Sequence, residues 1–558
     1  MAKTSGSKKS TIPKPTAKRG NKKSSLGVTG IKGAFITKWP LVLLVTSAII
    51  VLQARLQLLA IPMERDEAGF AYIGHWLLKG KSLYIDMVDN KLPGLYMLYG
   101  FFTTIFGYNA TGVHLGLLLA NVVTALLFYL LIRDLYNQYV AETATAFLII
   151  LLADPNVLGF AAHATQLLLP FVMGGFYFFW KGIRTERIIL FFLSGLLLGS
   201  AFIIKQQSIV FGVLAALIWW PARIFWNRKE QSRLPLMEWI ALGSGGIIPV
   251  FCIAGYFKFT GRWEELFFWS VKQPSRMTST FTNSRWELFG HFVPLVTKHF
   301  EILWITALAG FVLIFFSTFR KSALWFGLLL ASFGLISVVI GAAFYQHYFI
   351  LALPGVALLS AVMVYWISGK PGKFSEIIGG CIALLILLLP VISEKEYFFY
   401  PDPVNIHQRF YGINMFPELE RIGKELSNRV PEGSRIGVMG SEPEVLVAAD
   451  REGCSKHLFM YPILSDPELS PPLQDEYVNE IESCSPEYIV WNLGVLSWAA
   501  GYDKLQFFGR FMNWVEQYYT TYGIAEFRKD QPGEIVWGDQ LPSFHSQNDF
   551  KVYIFKRK

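Results

Sequence analysis

The chain has 558 residues, of which 53% are hydrophobic, 16% aromatic and only 16% charged. Soluble domains carry about 25% charge, so this composition excludes an ordinary soluble protein and indicates a polytopic α-helical membrane protein. The net charge of +9 is not read as a nucleic-acid footprint, because the excess collects in one tail and between apolar runs.

Residues 1–38 carry many Lys, one Arg and no acid, among Ser, Gly and Pro. Such a segment cannot build a core and reads as a disordered basic cytoplasmic tail, drawn to the anionic leaflet. A cleaved targeting peptide is the competing reading, but Arg is scarce and the next apolar run is too long. Apolar runs follow near 40–61, 111–133, 140–154, 165–181, 187–204, 207–222, 236–258, 301–318, 322–343, 347–367 and 374–392. Most approach the roughly 20 residues that cross a bilayer as a helix, which predicts about eleven spans. With the N-terminus inside, "RDLYNQ", "KGIRTER", "PARIFWNRKEQSR", "FRKS" and "SGKPGK" all fall on the cytoplasmic side. Every one is basic, as inner loops are. Residues 62–110, 154–164, 259–300 and everything after 392 then lie outside.

The first acids of the chain are Glu64, Asp66 and Glu67, with Arg65 among them, directly after the first span. They suit the first turn of a helix over "EAGFAYIGHWLLKG", with Glu64 a solvated flank. They also stand in a long loop that continues with Asp86, Asp89 and Lys91, and a carboxylate covered there could be desolvated into a general base. Arg65 is open between an ion pair, with Glu64 or Asp89, and a phosphate contact. The run 92–107 is read as an interfacial or re-entrant helix, because a full span would turn every later basic loop outward.

Further along, "ADPNVLGFAAHATQ" holds Asp154, open between a turn at a helix end and a second site acid, and His163, a polar ligand or an interfacial residue, with the interfacial reading favoured. Lys205 in "FIIKQQS" sits between two apolar runs, where a charge is costly unless it snorkels or binds something; Gln206 stands beside it. His347 and Tyr348 in "FYQHYFILALPG" mark the outer end of a span, as aromatic belts do. Lys272 and Arg276 in 259–300 are candidates for gating a lipid. After residue 392 the pattern becomes that of a small α/β domain, with a helix over "PELERIGKELSNRV", strands at "RIGVMG" and "YIVWNL", a helix near 504–520, and strands near 534–537 and 551–556. Cys454 and Cys484 lie in that domain and could pair if it is extracytoplasmic; Cys252 and Cys381 lie in apolar runs. No Gly-rich phosphate loop, G-x-S-x-G or H-E-x-x-H occurs, and Ser441 in "GSEP" lacks the elbow pattern.

The stretch "ERDEAGFAYIGHWLLKGKSLYIDMVDNKLPGLYMLYGFFTTIFG" resembles the first external loop of membrane glycosyltransferases of the GT-C fold. It is most similar to the bacterial relatives of the protein O-mannosyltransferases and of the lipid A aminoarabinose transferase. The shared features are the Asp-Glu pair after the first span, an aromatic helix, "KG.SLY.D" and a Lys-x-Pro, where Leu92 departs from the commoner Lys-Pro-Pro. The resemblance implies a GT-C transmembrane domain over 39–392 and an extracytoplasmic accessory domain over 393–558, in the plasma membrane. It implies an inverting transfer of a sugar from a polyprenyl-phosphate donor to a glycan, lipid or protein acceptor at the outer face, with membrane lipids as the other partner. Asp66 becomes the catalytic acid, Glu67 its assistant or a metal holder, and Asp154 the candidate second acid. Arg65, Lys91, Lys205, Gln206, His347 and Tyr348 become candidates for the donor phosphate and lipid, and a divalent cation is left open as cofactor. A transporter or flippase of lipid-linked substrates is the alternative, but no inverted repeat with broken mid-membrane helices is evident. A non-catalytic scaffold would have no need of these acids and lysines.

Overall fold

The computed structural model describes residues 38–226, 235–279, 285–319, 321–341, 343–369, 373–464, 466, 468–498 and 506–558. The basic tail expected over 1–38 lies almost wholly outside them. Among the described residues six helices are long and apolar enough to cross a membrane: Trp39–Gln57, Ala110–Leu135, Pro235–Phe259, Lys321–Ile340, Gln346–Ser368 and Lys373–Ser393. A seventh crossing would be the pair Trp286–Thr297 and Glu301–Phe316, bent by 108° at the break between them. The apolar helices Gln138–Leu152, Ile188–Ile204 and Gln206–Trp220 are shorter. The first of these is buried almost all round, so its length is set by neighbouring helices and by the site loop that ends it rather than by lipid. The protein is an integral membrane protein; where about eleven crossings are expected, six helices and one bent pair among the described residues are long enough to cross, and three apolar helices are shorter.

Five helices position the site and are labelled α1 (Trp39–Gln57), α2 (Arg65–Leu78), α3 (Pro93–Phe106), α4 (Ala110–Leu135) and α5 (Gln138–Leu152). Their starts follow local rules. Glu64 and Glu67 form a reciprocal capping box on α2, Pro93 opens α3, and Asn109 and Asn137 cap α4 and α5. α3 is 14 residues long, about 21 Å, too short to cross. One face packs on α2, while Met97, Phe101 and Ile105 form an outward apolar stripe, the layout of a helix lying in the interface. The two helices meet backbone to backbone: a Cβ on Gly74 would lie 2.6 Å from both the Gly100 nitrogen and the Tyr96 carbonyl oxygen. Any larger side chain there would push α2 off α3.

The C-terminal domain is built on a six-stranded sheet in the order β2-β1-β3-β6-β4-β5. Its strands are β1 (Arg435–Met439), β2 (Glu452–Gly453), β3 (Tyr488–Asn492), β4 (Tyr519–Glu526), β5 (Glu534–Trp537) and β6 (Lys551–Arg557). β1 pairs parallel with β2 and β3, and the other pairings are antiparallel. β4 was not expected. It follows the Phe508–Tyr518 helix without a gap, and a register shift between Thr521 and Gly523 breaks its alternation.

Cys454, just after β2, is joined by a disulfide to Cys484 at the end of the Ser470–Cys484 helix, 30 residues on. Closing a loop of that length contributes about 3 to 4 kcal/mol by chain entropy. Replacing both cysteines by serine is expected to lower the unfolding midpoint of the protein, and dithiothreitol should do so in the wild type alone, as read by thermal denaturation.

Candidate active site

A cavity of about 980 Å³ opens between the first loop, the ends of the spans nearest it and the C-terminal domain. Asp66 lines it from the first turn of α2, as do Glu64, Lys91, His163, Lys205 and His347. The sequence brings these groups from four separate segments, so the question is what holds them in register.

Glu67 does much of this. Its side chain is 2% exposed and points away from solvent. One oxygen, Oε1, accepts the Ala162 N–H at 2.5 Å and lies 3.2 Å from His114 Nε2 on α4; the other accepts the Glu64 N–H at 3.3 Å. The opposite ring nitrogen of His114 lies 3.0 Å from the Leu59 carbonyl, which can only accept. Nδ1 therefore donates, and a second proton is shared between Nε2 and the Glu67 carboxylate. The pair is neutral as a unit, which is the condition under which two ionisable groups tolerate burial. Ala162 is pinned on its other side too, its carbonyl accepting from Tyr99 of α3 at 2.6 Å. One carboxylate thus ties the start of α2, the flank of α4 and the loop that presents His163.

Glu64 is no solvated flank: it is 7% exposed. Burial, followed by the nearby charges of Asp66 and Glu67, pushes its carboxyl well above the usual range. Asp66, less buried, faces the cavity. The ligand atoms of Glu64, Asp66 and His163 lie within 4.8 Å of one another. His163 Nδ1 is 3.9 Å from Glu64 Oε1, its buried Nε2 has no hydrogen-bond partner, and its ring stacks on His347 at 4.1 Å. Glu67, expected as an assistant or a metal holder, has both oxygens taken up in the clamp, and the acid whose ligand atom lies near those of Asp66 and His163 is Glu64.

Two lysines face this acidic edge. Lys91 Nζ bonds the Asn90 side chain at 2.5 Å and lies 3.9 Å from Asp89, which Tyr96 holds with a 2.7 Å bond. Lys205, at the break after Ile188–Ile204, is 6% exposed, with its ammonium 4.0 Å from the centroid of the Tyr348 ring. Gln206 lines the cavity and donates weakly, at 3.4 Å, to the Ser270 carbonyl.

Two expected residues are engaged differently. Asp154 is fully buried and does not line the cavity; it caps the turn Pro155–Val157, accepting from the backbone and side chain of Asn156 at 2.8 and 2.9 Å. Both bonds fall on Oδ1, which the turn reading accounts for, while Oδ2 is buried without a hydrogen-bond partner. Arg65 pairs with neither Glu64 nor Asp89. Its Nε donates to the Ser441 carbonyl at 2.6 Å, a terminal nitrogen reaches Asn414 at 3.2 Å, and Glu442 lies 3.7 Å away. It attaches the site loop to the C-terminal domain. Arg276 does the same for the 263–279 segment, through Asp466 and Glu468. His114 escaped the sequence reading because it sits unmarked in an apolar run, 47 residues from its partner.

Residues 90–251 match the family model described as dolichyl-phosphate-mannose-protein mannosyltransferase. The fold is similar to that of ArnT from Cupriavidus metallidurans bound to undecaprenyl phosphate, with 14% identity, 82% of this chain and 94% of that chain covered, and a TM-score of 0.50. Also similar are two structures of the Archaeoglobus fulgidus oligosaccharyltransferase. One, tethered to an acceptor peptide containing the NVT sequon, has 13% identity over 91% of this chain and 74% of that chain, TM-score 0.48. The other, with Zn and sulfate, has 14% identity over 90% and 73%, TM-score 0.44. No curated protein sequence matches the chain. The kinship read from the first loop is borne out: the chain has the GT-C fold, with a C-terminal sheet domain.

Breaking one side of a buried charge pair costs about 3 to 5 kcal/mol. Glu67→Gln and His114→Leu are each expected to destabilise the protein on that scale, and the double variant by clearly less than the sum. A double-mutant cycle on detergent-solubilised protein, followed by denaturant unfolding, checks this.

Proposed function

We propose that the protein is an inverting glycosyltransferase that moves a sugar from a polyprenyl-phosphate donor to an acceptor hydroxyl at the outer face of the membrane. The observation that carries this reading is the meeting of Asp66 with Lys91 and Lys205 around one large cavity at the mouth of the spans. The undecaprenyl phosphate in the ArnT structure supports the lipid class, and the Cys454–Cys484 disulfide supports an oxidising, extracytoplasmic side for the C-terminal domain. The N-terminus is then cytoplasmic.

In this reading the acceptor oxygen attacks the anomeric carbon from the face opposite the phosphate. The C–O bond to phosphate breaks and its electron pair stays on the leaving phosphate oxygen, while the hydroxyl proton passes to Asp66. General-base assistance of this kind contributes roughly 10²- to 10⁴-fold. Lys91 and Lys205 stabilise the charge gathering on the leaving phosphate, Tyr348 holds the Lys205 ammonium over its ring, and Gln206 and His347 shape the same end. Glu67 positions Asp66 through the start of α2. Glu64, Asp66 and His163 fit a divalent cation: two carboxyls and an unpartnered imidazole nitrogen converge, and the charge of a cation would offset the cost of ionising the buried Glu64. Such a cation, when bound, supplies positive charge beside the leaving phosphate.

Asp66→Asn is expected to lower the transfer rate by at least 10²-fold in membranes supplied with polyprenyl-phosphate sugars; full activity in that variant overturns the assignment. For the cation, His163→Gln should raise the Mn²⁺ concentration needed to restore activity after EDTA treatment. If EDTA leaves the wild type unaffected, the metal part of the reading falls.

A further inference from the structure

Resting on that transferase reading, we propose that the acceptor is an uncharged saccharide whose ring stacks on Phe459, presenting a hydroxyl to Asp66. The wall of the cavity opposite the acids and lysines comes from the C-terminal domain. After residue 440 its described lining residues are Ser441, Phe459, Tyr461, Pro462, Leu496 and Ser497, none of them charged. Every lysine and carboxylate among the described lining residues comes from residues 64 to 205, the side on which the donor phosphate is held. An anionic glycolipid acceptor would need cations on the far wall, since a buried phosphate without a counter-charge is costly.

A peptide acceptor meets a different obstacle. Extended peptides are recognised through main-chain hydrogen bonds to a free edge, and no strand edge is among the lining residues after 440, where several backbone donors are taken within the domain. The Gly440 N–H goes to the Tyr477 hydroxyl at 3.2 Å, that of Ser441 to Ser497 Oγ at 3.0 Å, and that of Met460 to Ser441 Oγ at 2.8 Å. What the wall offers most of is aromatic face, from Phe459 and Tyr461. Aromatic rings take the C–H face of a pyranose while its hydroxyls project to polar groups at the rim, the mixed apolar and polar character of a small-molecule site.

The placement of Phe459 is built in. An ideal Cβ at Gly69 would lie 2.3 Å from the tip of the Phe459 ring, so that ring occupies space every other residue would fill. Gly69 is three residues after Asp66 and shares its face of α2. The ring is therefore seated beside the carboxylate that receives the proton. The acceptor oxygen becomes the new glycosidic oxygen as the anomeric C–O(phosphate) bond breaks, the electron pair leaves with the phosphate, and the hydroxyl proton goes to Asp66.

Binding without donor separates this proposal from the reaction it rests on. Saturation-transfer NMR on full-length protein in detergent should detect a neutral hexose trisaccharide, and detect neither a Ser/Thr-containing peptide nor an anionic phosphoglycolipid headgroup. Phe459→Leu should weaken trisaccharide binding about tenfold, the scale of one lost pocket contact, and Phe459→Trp should restore it to within about threefold, with unfolding midpoints showing that both variants fold. In transfer assays with undecaprenyl-phosphate mannose, Phe459→Leu should raise the acceptor KM without moving the donor KM. Binding of the peptide or the anionic headgroup in preference to the trisaccharide overturns the proposal, as does equal trisaccharide binding by Phe459→Leu. Trisaccharide binding that depends on Phe459, with no transfer from any polyprenyl-phosphate sugar, supports the saccharide site and removes the transferase reading instead.

Discussion

The arrangement depends on one buried carboxylate. Glu67 takes hydrogen bonds from the start of its own helix and from the His163 loop, and shares a proton with a histidine of the second long span. A single aliphatic contact could not do this, because dispersion is non-directional, whereas a carboxylate fixes three donors at set angles. The directionality is costly to bury and is tolerated only because the Glu67–His114 pair is neutral as a unit. Around that point the capping box fixes the first turn, which carries Asp66, and the close α2–α3 crossing at Gly74 fixes the same helix further along.

The C-terminal domain is the second fixed body. Arg65 reaches Ser441, Asn414 and Glu442, Tyr72 accepts the Gly453 N–H at 2.9 Å, and Lys81 meets Glu452 at 2.6 Å. The Tyr72–Gly453 bond is buried, whereas the Lys81–Glu452 pair is partly exposed, where an isolated pair contributes little; together they flank one loop. Consecutive residues 65 and 66 therefore serve different bodies, one fastening the lid of the cavity and the other facing its contents.

How much of this could be read in the sequence varies by residue for physical reasons. Asp66, Lys91 and Lys205 stand out because a charge amid apolar residues must have a reason, and they do border one cavity. The GT-C architecture was readable from the same loop, and α3, read as interfacial or re-entrant, is a short helix with an outward apolar stripe. Glu64 was misread, because a charged residue beside three other charged residues gives no sign of being covered from above. His114 and Phe459 carry no local signal at all: their roles come from partners 47 and about 390 residues away. Asp154 had two readings of equal standing in the sequence; its Oδ1 caps the turn through Asn156, while its Oδ2 is buried without a hydrogen-bond partner. The count of crossings blurs where helices such as α5 are walled by protein and need not match the bilayer.

The Arg65–Ser441 bond joins positions 376 residues apart, which has a consequence for how the protein is made. Synthesis at about 5 to 20 residues per second leaves the first loop waiting roughly 20 to 75 s before the segment it fastens to exists. Through that interval the spans can insert and Glu67 can find His114, but the cavity lacks a wall and Asp66 faces open water. The order of translation thus acts as an interlock, withholding a closed site from a half-made chain until its last domain has folded over the first loop.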